Sequence, residues 1–164
     1  MKQAPAGVPT RREKELALLF NVSRALERSM DLREVLGPVL ESLAGEMGMS
    51  RGTLTLLNRQ TGEISIEIAH GLSPAQRERT RYRLGEGVTG KVIQSGRPAV
   101  VPRISAEPLF LNRTGARKGL PKKDVSFICV PIKIGPDVVG APSADRLFAE
   151  DVSLDEDVRL LSII

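Results

Sequence analysis

Residues 81–98 read RYRLGEGVTGKVIQSGRP. Gly85, Gly87 and Gly90 spell G-x-G-x-x-G, and Gly90-Lys91 completes most of a G-x-x-x-x-G-K phosphate loop. Both motifs work by letting backbone N–H groups approach an anion at a helix N-terminus. The surroundings decide against a nucleotide. A dinucleotide fingerprint follows a buried parallel strand and opens a full crossover helix. Here the preceding residues are RTRYRL, and Gly96-Arg97-Pro98 stops the next helix after about two turns. A Walker loop needs Ser or Thr after its lysine to hold magnesium, and position 92 is Val. The stretch therefore predicts a left-handed turn feeding a short helix. Either the N–H groups of Val88, Thr89 and Gly90 point into a cavity, or the glycines only permit tight packing of helix on sheet.

Upstream, the hydrophobic period is two. Leu54 and Leu56 alternate with Thr53 and Thr55, and Ile64, Ile66 and Ile68 alternate with Ser65, Glu67 and Ala69 across the turn residues 58–62. This predicts an antiparallel hairpin with one buried face. Ser73, Pro74 and Gln76 supply an N-cap, an N1 proline and the N3 partner of a short helix. Before the hairpin the period is helical. Leu16, Leu19, Ser23, Leu26 and Met30 form one face of a first helix, while Leu18, Val22 and Ala25 lie on another. Asp31 and Glu34 form a D-x-x-E cap for a second helix that carries Gly37-Pro38 and ends near Met47-Gly48. Downstream, a short strand at residues 98–101 and an irregular segment lead to the apolar run VSFICVPIKI (125–134). That run turns at GPD and returns as VVGAPSADRLF. Ser153 and Glu156 cap a last helix that breaks off at the chain end.

The 164 residues suffice for one domain, with residues 1–11 as a flexible lead and 12–164 as a single folded unit whose last helix is cut short. A 41% hydrophobic and 27% charged composition is globular, and no apolar run is long enough for a membrane span or a signal peptide, so a cytoplasmic location is expected. The net charge of +4 favours anionic partners. Aromatics at 3%, with no helix-turn-helix or zinc pattern, argue against a dedicated nucleic-acid reader. One histidine, His70, removes multi-histidine metal sites and makes a charge-relay triad implausible. The single cysteine, Cys129, sits in the most apolar strand and reads as a small core residue.

The order of two leading helices, hairpin, short helix, GEGVTGKVIQSGRP, SFICVPI and VVGAPSADRLF resembles a GAF domain. Within that family, RYRLGEGVTGKVIQSGRPAVVPRISAEPLFLNRTG and SADRLFAEDVSLDEDVRLLSII are similar to the amino-terminal domain of NifA-type activators of nitrogen-fixation genes. The resemblance covers roughly residues 12 to 164. It implies an α+β fold with a central, mainly antiparallel sheet of five or six strands and helices on both faces. It also implies a regulatory module, not an enzyme, that controls a downstream AAA+ ATPase acting on polymerase bearing the sigma-N factor, in a protein that also binds DNA. Those further domains lie outside this sequence. One departure is Gly140-Ala141-Pro142, where the family carries aliphatic residues. Pro142 cannot donate a ladder hydrogen bond and predicts an edge, a bulge or a break.

Three functions follow as alternatives: a ligand sensor, an interaction domain receiving a NifL-like or PII-like regulator, or an enzyme resembling free methionine sulfoxide reductases. The last uses several cysteines in relay, and this chain has one. The expected ligand is a small anionic metabolite such as 2-oxoglutarate, with no metal and no resident cofactor. Its candidate site is Arg83, Gly87, Val88, Thr89, Gly90 and Cys129, with Arg113 from the basic segment 113–123 clamping a carboxylate. A homodimer is expected through Leu16, Leu19, Leu26 and Met30 of the first helix with Val158 and Leu161 of the last.

Overall fold

Thr10 and Glu13 exchange backbone hydrogen bonds through their side chains, and this reciprocal cap starts α1 (Arg11–Arg28). The computed structural model describes residues 7–111 and 124–164. Residues 1–6 of the expected lead lie outside the described residues, and Arg11 is already helical. In α2 (Leu32–Met47), Asp31 accepts from the Arg33 N–H, but Glu34 accepts from the Ser29 hydroxyl at 2.7 Å instead of returning to Asp31. The expected D-x-x-E box closes only by half, and α2 runs unbroken through Pro38.

Seven strands form one sheet: β1 (Met49–Asn58), β2 (Glu63–Ala69), β3 (Arg81–Arg83), β4 (Ala99–Val101), β5 (Val125–Cys129), β6 (Ile132–Ile134) and β7 (Asp137–Leu147). Their order is β3-β2-β1-β7-β5-β4, with β6 also on β7, and every pairing is antiparallel. The count exceeds the expected five or six because the apolar run 125–134 splits into β5 and β6 around Val130-Pro131.

Both faces of the sheet are buried. On one, α1, α2 and α5 (Leu154–Ile163) press Leu18, Val22, Leu43, Leu160 and Leu161 against Leu54, Ile68, Ile128 and Ala144. On the other, α4 (Gly87–Ser95) packs Val88, Val92 and Ile93 against Ile64, Phe127, Cys129 and Ala141. Each such aliphatic side chain stabilises the fold by about 1.5–3 kcal/mol through removal from water. The short α3 (Pro74–Glu78) begins with the expected Ser73–Gln76 box and Pro74. Ser153 stands at the N-cap of α5, but its hydroxyl makes no capping bond, and the Glu156 carboxylate pairs with Arg11 at 3.0 Å, so the expected Ser153–Glu156 cap does not form.

Two expectations change here. The isoleucines of β2 do not share a face: the β1–β2 register skips Glu67, so Ile68 joins Leu54 in the helical layer while Ile64 joins the α4 layer. An extra residue in one strand reverses the side-chain alternation beyond it. Pro142 is not at an edge. It lies mid-strand in the central β7, opposite Leu54 of β1, and its carbonyl accepts from the Val130 N–H at 3.0 Å. In an antiparallel strand a residue's N–H and C=O point to the same neighbour. The donor that proline lacks therefore faces the interruption between β5 and β6, so β7 itself runs through Pro142 with none of the expected edge, bulge or break.

Candidate functional site

A second register shift builds the site. Met49 pairs with Arg146 and Arg51 with Asp145, so Ser50 is the extra residue in β1. Met49 faces the helical layer, and beyond the bulge Arg51, Thr53 and Thr55 face α4. There they meet Ser143 and Asp145 of β7. Arg51 Nε donates to Asp145 Oδ2 at 2.8 Å, the Thr53 and Ser143 hydroxyls lie 2.7 Å apart, and the Thr55 hydroxyl donates to the Ala141 carbonyl at 2.8 Å. Gly71, just after β2, leaves room for the arginine stem: a Cβ there would come within 2.9 Å of Arg51 Cγ.

These groups floor a cavity of about 30 Å³, roughly one water molecule's share of the liquid. Its polar wall is Arg51, Thr53, Thr55, Thr89 and Ser143, its apolar wall Ile66, Val88 and Phe127, and Leu72, Tyr82, Phe110 and Leu111 complete the lining. Phe110 stands edge-on to Phe127, with ring centroids 5.1 Å apart. Such edge-to-face pairs add to the closure.

The glycine motif is explained by packing. Gly85 and Gly87 adopt positive φ (79° and 62°), open to glycine at little cost. A Cβ at Gly90 would lie 2.4 Å from the Arg83 carbonyl oxygen. The α4 start is thus held tightly on the end of β3, and of the motif only Val88 and Thr89 reach the cavity wall. Cys129 is fully buried in the same layer. Burial pushes its thiol up to about 12, with a hydrogen bond to Thr89 pulling the other way.

The expected site residues are therefore only partly brought together. Val88 and Thr89 line the cavity, Gly87 and Gly90 serve the packing of α4 without reaching it, and Cys129 is buried in the same layer outside the lining. Arg83 is a correction: it is exposed on the edge strand β3, beside Glu63, Arg81 and Glu86, and outside the cavity lining. Arg113 and the basic segment lie outside the described residues. Sequence reasoning missed Arg51, Ser143 and Asp145, and placed Thr53 and Thr55 on the open face of a hairpin. The available signal was polar residues spaced by two, R-x-T-x-T in β1 and S-x-D in β7.

On the helical face a second charged cluster is buried. Asp157 of α5 is 0% exposed and accepts from Arg146 Nε at 2.6 Å and from Arg11 Nη2 at 2.6 Å, while Arg146 also donates to the Met47 carbonyl. Of the expected dimer residues, Leu16, Leu26 and Met30 are exposed and Leu19 is half-buried. Val158 packs partly on the core, and Leu161 is corrected to a core residue at 3% exposure. Among the described residues no group of three or more His, Cys, Asp or Glu could hold a metal ion, and no helix is long and apolar enough to cross a membrane.

A family model described as GAF domain matches residues 31–164. The nitrogen fixation protein VnfA of Azotobacter vinelandii is 41% identical over 91% of this chain and 29% of its own length. The Nif-specific regulatory protein of Azospirillum brasilense is 39% identical over 92% of this chain and 24% of its own. The chain thus spans about a quarter of the length of these curated relatives. Among solved structures, the A. aeolicus nlh2 GAF domain in an inactive state superposes with a TM-score of 0.79 at 26% identity, covering 93% of this chain and 91% of that one. Free methionine-R-sulfoxide reductase of Neisseria meningitidis shares the fold at a TM-score of 0.73 and 19% identity, covering 99% and 93%.

Proposed function

The chain belongs to the GAF domain family, and on that premise we propose that it is the sensory, regulatory domain of a Nif-specific-type transcription activator, with the cavity beneath α4 as its ligand site. The observation that carries this reading is the lining. A guanidinium and several hydroxyls surround a space inside a layer otherwise closed by aliphatic and aromatic side chains. Convergent polar groups in an enclosed, largely apolar pocket are the usual mark of a small-molecule site. The ligand is a small anionic metabolite, with 2-oxoglutarate as the first candidate. In the longer protein the domain controls an AAA+ ATPase acting on sigma-N polymerase at DNA, in the cytoplasm. That wider assignment is supported by the 39–41% identity to nitrogen-fixation regulators, of whose length the matched region makes 24–29%.

Native mass spectrometry of the purified domain, followed by calorimetry against 2-oxoglutarate, tests the reading. One ligand per chain is expected. Empty protein that gives no heat with any metabolite, yet binds a regulatory protein stoichiometrically, would replace it with the second reading.

That second reading, an interaction and dimerisation domain, draws on the outer face of α1, where Leu16 is 63% and Phe20 61% exposed. An enzyme of the sulfoxide reductase type is disfavoured by Cys129. A thiol raised to about 12 and fully buried is neither ionised nor reachable.

A further inference from the structure

We infer that Arg51 is the residue that reads the ligand's charge, and that the ligand presents a carboxylate to it. The inference rests on the cavity being a ligand site. Asp145 is fully buried, absent from the cavity wall, and binds Arg51 through Nε alone. That single bond fixes the guanidinium plane from behind, and the two Nη groups have no hydrogen-bond partner among the described residues. A guanidinium head costs free energy to withdraw from water unless its donors are satisfied. Arg51 is nevertheless carried inward by the Ser50 bulge, over the gap left by Gly71, with its side chain only 15% exposed.

The neighbouring hydroxyls set the polarity of the partner. Thr53 and Ser143 share one hydrogen bond, which uses one of their two protons and leaves the other available. Thr55 spends its proton on the Ala141 carbonyl. The floor therefore offers the Nη donors of Arg51 and one hydroxyl proton beside hydroxyl lone pairs, and its only charged group is a donor. A planar, acceptor-only head group answers that set, and a carboxylate matches the guanidinium fork in both geometry and charge. The cavity of about 30 Å³ admits little more than such a head, so the body of the ligand must displace the exposed Leu111 at the outer wall.

The test is titration of the ¹⁵N-labelled domain with succinate, 2-oxoglutarate and the uncharged succinamide, reading the amides of Thr53, Thr89 and Ser143 and the Arg51 side-chain N–H signals. The carboxylates should shift both sets of signals and succinamide should not. Arg51→Lys should weaken the carboxylates by about tenfold or more, because an ammonium cannot reproduce the bidentate contact. If Arg51→Lys does not fold, the comparison of succinate with succinamide on the native chain still decides. Equal binding of succinamide, or unchanged carboxylate affinity in Arg51→Lys, overturns Arg51 as reader while leaving the cavity a ligand site. No shift with either carboxylate at millimolar concentrations also overturns the inference; an uncharged ligand found bound by native mass spectrometry would then preserve the sensory reading.

Discussion

Asp145 and Arg146 are consecutive on the central strand and hold buried ion pairs on opposite faces of the sheet. Asp145 binds Arg51 beside the cavity, and Arg146 binds Asp157 of α5, which also receives Arg11 of α1. Alternation along a strand dictates the opposite directions, and the Ser50 bulge supplies β1 partners of matching facing on both sides. One stretch of β7 therefore links the cavity beneath α4 to the starts of α1 and α5. Buried charges tolerate little misplacement, since each costs several kcal/mol if its partner is lost.

The first prediction is thermodynamic coupling between these pairs. Urea unfolding of Asp145→Asn, Asp157→Asn and the double variant should give a coupling energy above about 0.5 kcal/mol, the scatter seen for independent sites. Additive losses would separate the cavity from the helical layer. Asp157→Ala alone should cost about 3–5 kcal/mol, because it leaves Arg146 buried without its counter-charge.

Cys129 makes stability depend on pH in a fixed direction. Its thiol titrates near 12 in the folded chain against an ordinary value of 9.0. Below the ordinary value both states are protonated and the contribution is flat. Above it the unfolded chain releases a proton that the folded chain keeps, so stability falls by about 1.4 kcal/mol per pH unit until the folded thiol titrates. Urea midpoints measured upward from pH 8 should fall more steeply for the native chain than for Cys129→Ala. Parallel curves would show that the thiol is not held protonated. For the same reason alkylation should require unfolding.

Two glycines in helices should respond oppositely to alanine. Gly45 in α2 has nothing within 4 Å of an added Cβ, so Gly45→Ala should stabilise by up to about 1 kcal/mol through helix propensity. Gly90 in α4 would place its Cβ 2.4 Å from the Arg83 carbonyl oxygen, so Gly90→Ala should destabilise despite the same propensity gain. Thermal unfolding of the two variants reads the signs directly. A Gly90→Ala protein as stable as the parent would return the motif to an unconstrained turn.

What the sequence disclosed follows from how local each signal is. Ser73-Pro74 and the glycine turn act within one or two turns of chain, and the elements they bound appear where periodicity places them, whereas the equally local Thr10-x-x-Glu13 box went unread because Pro5, Gly7 and Pro9 marked residues 1–11 as a lead. Bulges are a property of two strands at once. Neither Ser50 nor Glu67 differs from its neighbours in any way that marks an extra residue, so the facing of Arg51 and Ile68 was hidden. Arg51 and Asp145 are 94 positions apart, and no spacing rule joins them. Pro142 was expected to mark an edge, a bulge or a break of its own strand and marks none, because the sequence shows the missing donor but not that it faces the gap between β5 and β6.

The outer face of α1 carries the last prediction. Leu16 and Phe20 of α1 are 63% and 61% exposed, flanked by Leu26 at 53% and by Met30 just past the helix end, whereas Leu18 and Val22 are buried in the core. An amphipathic helix needs only one apolar stripe to cover its own sheet, so the second stripe is surplus to the fold of a single chain. Scattered exposed leucines are ordinary, but apolar side chains lined along one helix mark contact with another surface. A symmetric pair of α1 helices, joined by Val158 at the margin and without Leu161, is the proposed cover. Sedimentation equilibrium should show a dimer that dissociates on dilution. Leu16→Glu with Phe20→Glu should give a monomer whose urea midpoint, measured at dilutions where the parent is also monomeric, is nearly that of the parent, because neither side chain belongs to the core. A parent chain that stays monomeric at the highest concentrations would leave the stripe to a different partner. An unchanged dimer in the double variant would move the interface away from α1.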